Sequence, residues 1–529
     1  MTALLKYEFL SLFSEETPMF NNVSQVFGLS FGVSASLFAA DFSMAADLPW
    51  HKSAPMEYVR VCDDFGAGFF YLPGTETCLK VGGLALTEMR LFDPSYSIGG
   101  NGFYGNGVAR PVGGYLPSPS QYTNARSRDA YGFAILGRVE LDARSKTEWG
   151  TVRAFMRVDA YYGSSQGAAS GGLAQAPNTW NGSAGTSAPR ETTTVNKAFI
   201  QFAGLTAGRA QSFFDFYADA YNFGSIRGSN ATVALLAYTA TLPDGWSTSI
   251  SLEDQPSRRA AIGSTIAGYQ AQPAGVRVPD IVGSFRLDRN WGAFQVSAAA
   301  HQVRASLFPS SALAIPPASY AFPSLTANEY GFAVQGGLMI NADQIAAGDK
   351  FWLQGAYEKG AFSYIAGNNF SYSYGAVSQN RYMGSGISAM DNSVGWNPEV
   401  NSDCVFTGSG SCERQWGWAF VGAYKHYWIP SLSSSLFTSY LETHYSANAL
   451  NGLGGAVGVA NAKETRVGTN LIWTPLRGFD IGGEFAYINL TQTRPAGLAS
   501  DTALVAAGLP AFKPSVNTYE TRIRVQRAF

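Results

Sequence analysis

Polar and apolar residues alternate with period two along most of the chain after Leu79. In "GTVRAFMRVDAYY" (150–162), Val152, Ala154, Met156 and Val158 fall on one side and Arg153, Arg157 and Asp159 on the other. That is the pattern of a strand with one apolar and one polar face. Sixteen such stretches, bounded by turn-forming residues, occupy 79–91, 131–145, 150–162, 195–203, 204–211, 233–241, 246–254, 280–288, 291–301, 329–341, 350–359, 415–428, 432–444, 464–474, 480–490 and 519–529. The last sets Arg522, Arg524 and Gln526 against Ile523 and Val525 and stops on an aromatic, Phe529.

The connections alternate as strictly as the residues do. Short links ("KTEW", a turn inside "FAGLTAG", "LPDG", "RN", "ADQIAAGD", "IPS", "PLRGF") take turns with long ones at 92–130, 163–194, 212–232, 255–279, 302–328, 360–414, 445–463 and 491–518. An even-numbered up-and-down barrel produces this sorting, because one rim carries every turn and the other every loop. A sandwich or propeller has no reason to sort connection lengths by parity. The predicted fold is therefore all-β: a transmembrane antiparallel β-barrel of about 16 strands, apolar outside and polar within. Aromatics near the strand ends ("DAYY", "YKHYW", "FAYINL") suit the two membrane interfaces.

Composition narrows the classes. Charged residues are 14% of the 529, against roughly 25% in soluble domains. With 36 Lys+Arg and 38 Asp+Glu there is no basic footprint for nucleic acid. No run approaches the roughly 20 apolar residues of a membrane helix. The stretch "VFGLSFGVSASLFAADFSMAAD" from Val26 reads as a signal peptide, with Ser43 and Ala45 placing cleavage near Ala45/Ala46. Residues 1–45 are thus expected to be an N-terminal extension plus signal peptide, with Met19 the working initiator. Residues 46–78 form a periplasmic segment too short for a plug domain, and 79–529 form the barrel. The four cysteines pair by proximity as Cys62 with Cys78 and Cys404 with Cys412, although three connectivities are formally open. Both pairs read as structural staples, and neither spacing is that of a metal site.

Motifs with catalytic overtones are weak. "GNGFYG" (100–105) has dinucleotide-type glycine spacing but sits in a long loop with no helix after it, and "GSSQG" (163–167) lacks the strand-to-helix turn of a nucleophile elbow. Of His51, His301, His426 and His444, the one in "YKHYW" is read as interfacial. No carboxylate cluster has metal spacing; neither a cofactor nor an enzymatic reaction is implied.

The stretches "EYVRVCDDFGAGFFYLPGTETCLKVGG", "VNKAFIQFAGLTAGRAQSFFDFY", "NEYGFAVQGGLMINADQIAAGDKFWLQGAYEKG", "GWAFVGAYKHYWIPSLSSSLFTSYLE", "VGTNLIWTPLRGFDIGGEFAY" and "RIRVQRAF" resemble the general-diffusion porins of alphaproteobacterial outer membranes. The resemblance implies a homotrimeric sixteen-stranded barrel that passes small hydrophilic solutes passively. Implied partners are outer-membrane lipids with lipopolysaccharide and, through the terminal Phe529, the barrel assembly machinery. It also implies a third long loop, 212–232, folded into the lumen. Departures from the family are the N-terminal extension, the long 360–414 loop and "GG" at 82–83.

On that reading Phe213, Phe214, Phe216, Tyr217, Tyr221 and Phe223 pack the loop against the wall, and Asp215 and Asp219 point into the lumen. Facing them are the wall arginines Arg138, Arg153, Arg157, Arg209, Arg466, Arg522 and Arg524. Rows of opposite fixed charge would orient dipolar solutes. The same arginines could instead solvate the lumen or pair with Glu140, Asp142 and Glu484. If the two aspartates dominate, the pore favours cations. A solute-selective channel of the same fold is the alternative function, with an adhesin carried on a barrel or a barrel enzyme behind it.

Overall fold

The computed structural model describes residues 60–92, 131–163, 190–224, 226–266, 269–309, 325–366, 402–452, 459–494, 496, 500–506 and 514–529. Sixteen long strands make one sheet: β1 (Cys78–Phe92), β2 (Tyr131–Thr147), β3 (Gly150–Gly163), β4 (Arg190–Phe202), β5 (Leu205–Gln211), β6 (Thr232–Thr241), β7 (Trp246–Glu253), β8 (Asp280–Arg289), β9 (Gly292–Pro309), β10 (Leu325–Asn341), β11 (Lys350–Lys359), β12 (Trp416–Ile429), β13 (Leu432–His444), β14 (Ala462–Leu476), β15 (Phe479–Gln492) and β16 (Ser515–Ala528). Each pairs antiparallel with the next, and β16 pairs with β1 from Leu84↔Ala528 to Phe92↔Glu520. The barrel is closed, so its main-chain donors and acceptors are met by neighbouring strands.

The faces invert those of a soluble protein. Val139, Met156, Ile200, Leu236, Ile250, Val296, Val334, Leu436, Leu471, Ile523 and Val525 are exposed on the outside. Glu88, Asp159, Ser251, Gln295, Gln335, Gln354, Ser439, Glu464, Asn470, Glu484 and Arg522 are buried on the other face. Many of the exposed aromatics sit near strand ends, with Phe285 and Phe485 at mid-strand. Tyr238, Trp291, Trp428 and Trp473 lie toward the turn rim, and Phe133, Tyr162, Tyr330, Phe332, Tyr357, Trp418 and Tyr519 toward the loop rim. An apolar belt between two aromatic girdles is what a bilayer requires of a barrel.

The seam explains the "GG" at 82–83. Phe529 N–H donates to the Gly83 carbonyl and Gly83 N–H to that of Phe529, both at 3.1 Å. The terminal ring lies over Gly83, where a Cβ would come within 2.4 Å of it.

Both expected disulfides are present, Cys62–Cys78 and Cys404–Cys412, with Cα separations of 6.0 and 5.4 Å. On the loop side the strands outrun their alternation: β4 starts at Arg190 rather than 195, β9 continues to Pro309 rather than 301, and β10 starts at Leu325 rather than 329. Beyond the belt no lipid dictates a face, so the period-two signal fades while pairing continues. Some of what reads as loop is also sheet. Tyr269–Pro273 pairs with β9, and Ala261–Ser264 runs parallel to Ser402–Phe406, which pairs with Cys412–Arg414. Ile262, Val303, Leu307, Phe406 and the Cys404–Cys412 bridge form an apolar cluster there. The expected extension and signal peptide with its cleavage near Ala46, His51, "GNGFYG" and all of "GSSQG" but its first glycine lie outside the described residues.

Candidate functional site

The segment joining β5 to β6 carries six aromatic rings, and rings at that density need cover. It finds cover on the polar face of the wall. Phe214 meets Tyr364 edge to face at 4.8 Å. Phe216 lies 4.9 Å from Trp352 and above Gly337, whose Cβ would come within 2.2 Å of the ring. Tyr217 and Tyr221 also turn edges to Trp352, and the Arg524 guanidinium covers Phe223 at 4.0 Å.

Wall side chains satisfy the segment's main chain. Glu253 of β7 accepts from Phe213 N–H (3.0 Å), and Gln295 of β9 donates to the Asp215 carbonyl (3.1 Å). Gln335 of β10 donates to the Phe214 carbonyl (2.7 Å), and Gln354 of β11 accepts from Tyr217 N–H (2.9 Å). Further round, Asn470 of β14 donates to the Tyr221 carbonyl (2.7 Å), and Glu484 of β15 accepts from Phe223 and Gly224 N–H (2.6 and 2.7 Å). Ser439 of β13 accepts from Arg227 N–H (3.0 Å). A turn that leaves its peptide groups open would lose stability for each one; here the wall closes them.

Two buried ion pairs fasten the segment. Asp215 meets Arg258 at 3.0 Å and also accepts from Ser229, from Ala231 N–H (2.6 Å) and from Gln211 (2.5 Å). Arg227 grips Glu464 with two hydrogen bonds, 2.7 and 3.0 Å, and donates to the Ala366 carbonyl at 3.1 Å. Behind Arg258 stands Tyr364, 4.3 Å from the guanidinium, whose hydroxyl donates to Asp280. Burial, then the Asp280 charge, pushes the Tyr364 hydroxyl well above its usual pKa.

Asp219 behaves differently from Asp215. It and Ala218 both have left-handed backbone, φ 57° and 45°. Its carboxylate accepts from Asn222 (2.8 Å), Ile226 N–H (3.1 Å) and Asn230 (2.9 Å), holding that turn.

The sequence-proposed arginines separate into three groups. Arg138 makes two bonds to Asp159 (2.7 and 2.9 Å), Arg153 two to Asp142 (both 3.0 Å), and Arg157 reaches Glu140 at 2.7 Å; all three are part-exposed on the inner face of β2 and β3. Arg466, Arg522 and Arg524 instead join the seam between wall and segment. Arg466 pairs with Glu464, Arg522 with Glu88 (3.0 Å) and Glu520, and Arg524 with Glu88. Arg522 also donates to the Phe223 carbonyl at 3.4 Å.

Arg209 does not belong with the wall cations. Register pairs it with Ala198 and Ala234, and its own strand alternates Leu205, Ala207, Arg209 on the outer face. There it donates from Nε to the Asn196 carbonyl at 3.1 Å. Strict period two places it outside, a consequence visible in "GLTAGRAQ" itself.

Arg227, Arg258, Glu464 and Lys197 were not singled out from the sequence. The first three act with partners far along the chain, such as Arg227 with Glu464, and only the second face of the alternation hints at them. Of the described histidines, His301 is held by Asp280 (2.8 Å), His426 by Asp349 (2.8 Å) and His444 by Glu442 (2.8 Å). Among the described residues no group of three or more His, Cys, Asp or Glu is arranged to hold a metal.

A closed sixteen-stranded barrel, apolar outside and charged within, defines a channel of the outer membrane. A family model described as the porin subfamily matches residues 47–509, and the chain belongs to that family. It is similar to porin Omp2b of Brucella suis, 28% identical over 357 residues that cover 62% of this chain and 84% of the relative. Omp2b of Brucella neotomae is 26% identical over 342 residues, covering 63% and 74%. Among solved structures, the outer membrane channel DcaP of Acinetobacter baumannii shares the fold with a TM-score of 0.53 at 12% identity, over 87% of this chain and 99% of that one. The family and its relatives make this protein an outer-membrane porin and point to a channel.

Proposed function

We propose that this porin passes small hydrophilic solutes and ions by passive diffusion through a lumen narrowed by residues 212–231. The observation that carries the reading is the placement of that segment. It is bonded to the polar faces of strands from β7 round to β16, while β2 and β3 keep part-exposed charges on theirs. A segment fixed along one half of a closed polar wall leaves the water-filled passage along the other half. Charged groups lining it favour polar solutes over apolar ones. Asp219 stands at the segment's bend; Asp215, fully engaged by Arg258 and its neighbours, serves to anchor it.

Self-association follows from Arg209. A charge at mid-belt on a lipid-facing strand costs about 2–4 kcal/mol, and Arg209 is set among Ala198, Ala207 and Ala234 on that face. A second copy covering β4–β6 accounts for both the charge and the small residues, and the family's trimer is the arrangement we assign. The belt and girdles meet outer-membrane lipid and lipopolysaccharide. Phe529, closing the seam, serves as the signal for the barrel assembly machinery, after export directed by the signal peptide.

Reconstituting the full-length protein in planar bilayers tests this function. Stepwise current, linear in voltage and unaffected by neutral sugars, is expected. A folded barrel that gives no steps would end the reading.

A further inference from the structure

We infer that the inner face of β3 and β4 holds a binding station for small oxyanions, carboxylates or phosphates, centred on Lys197 and Arg157. The inference rests on the channel function proposed above and adds a solute class to it. Among the described residues, the inner face of β2–β4 carries the cations Arg138, Arg144, Lys146, Arg153, Arg157 and Lys197 and the carboxylates Glu140, Asp142 and Asp159, with Lys146, at the turn end, paired to Asp64. The carboxylates are all engaged: Asp159 by Arg138, Asp142 by both Arg144 and Arg153, and Glu140 by Arg157.

Lys197 is left over. Among the described residues its ammonium has no hydrogen-bond or ion-pair partner. Register pairs it with Arg157, next to a β-bulge between Arg157 and Val158, and cross-strand neighbours of like charge destabilise a ladder. Arg157 spends Nε and Nη2 on Glu140, and among the described residues its Nη1 has no partner. An ammonium with three donors and a guanidinium edge thus converge on one part-exposed spot. An oxyanion placed there accepts from both and removes the repulsion between them.

The surroundings do not compete for the site. The charged groups facing Lys197 are Arg157, Arg138, Glu140 and Asp215, and both carboxylates already have cations, Arg157 and Arg258. On the same face Phe199 stacks on Phe155 at 5.2 Å beneath Arg153, giving the station an apolar flank. The excess of positive charge along β2–β4 favours anions, opposite in sign to a pore ruled by Asp215 and Asp219.

The test uses the full-length protein in planar bilayers carrying KCl current, with inorganic phosphate added to one side. Phosphate should interrupt the wild-type current in brief, concentration-dependent blocks. Lys197→Gln should weaken the block by about tenfold, as expected for the loss of one charge-assisted hydrogen bond. Lys197→Arg should restore most of it, and Lys463→Gln on the exposed outer face should leave it unchanged. Acetate run in parallel separates a carboxylate from a phosphate preference. An equal block in Lys197→Gln, or a wild-type channel that conducts without block, overturns the station and leaves the channel function standing. A protein that does not conduct at all overturns both.

Discussion

At Gly83 an added Cβ would lie 2.4 Å from the Phe529 ring and 2.6 Å from the Arg138 carbonyl oxygen. The second contact is backbone and cannot swing aside. Gly83→Ala should therefore destabilise the closing seam by about 1–3 kcal/mol, the range for overpacking. The expected readout is a lower temperature for the heat-induced mobility shift of the folded barrel, and an unchanged transition would contradict the placement of Phe529. The terminal aromatic and the paired glycines are both plain in the sequence, but nothing in their spacing says that one makes room for the other. Asp215 is a second case. A carboxylate in an aromatic loop reads as a lumen charge until Arg258, 43 residues on, is found 3.0 Å away. Asp215→Asn should act mainly on stability, lowering it by about 3–5 kcal/mol by leaving Arg258 buried without its partner. Thermal unfolding in detergent checks this.

At the scale of elements, the strands were legible and their fastenings were not. Alternation is imposed locally, by lipid on one face and water on the other, so it survives in a single sequence. The attachment of 212–231 depends on Glu464, Glu484, Asn470 and Gln354, each more than 100 residues away in sequence. The outer parts of β4, β9 and β10 were missed because alternation ends with the belt while hydrogen bonding does not. The small external sheet supplies a pH prediction. Burial tends to raise the Glu413 pKa, but hydrogen bonds from Ser446, Asn448, Thr407 and Ser409 outweigh it and hold the carboxyl below its usual value. A lowered folded-state pKa stabilises above the unfolded value and ceases to do so as pH falls through the folded one. The Cys412–Arg414 strand and the Ala447–Leu450 turn that Asn448 ties to it at 2.9 Å should become more sensitive to an acid-active protease below about pH 4, and Glu413→Gln should abolish that pH dependence.

For the whole molecule, strand count and connection parity identify the fold, because a membrane sheet must close and an even barrel sorts its loops to one rim. The assembly is tested through Arg209. Arg209→Glu should convert the proposed trimer to monomers on light scattering in detergent while the barrel stays folded, and a variant that remains trimeric would show that this face lies elsewhere. The central claim, a water-filled barrel narrowed by 212–231, is tested most directly by single-channel conductance of the wild type beside Arg227→Met. Removing Arg227 takes away the buried pair with Glu464 and the bond to the Ala366 carbonyl, releasing one end of the segment. Uniform ohmic steps in the wild type, and larger, noisier steps in the variant, are the predicted result. No steps from a folded wild-type barrel, or identical steps from both proteins, would contradict it.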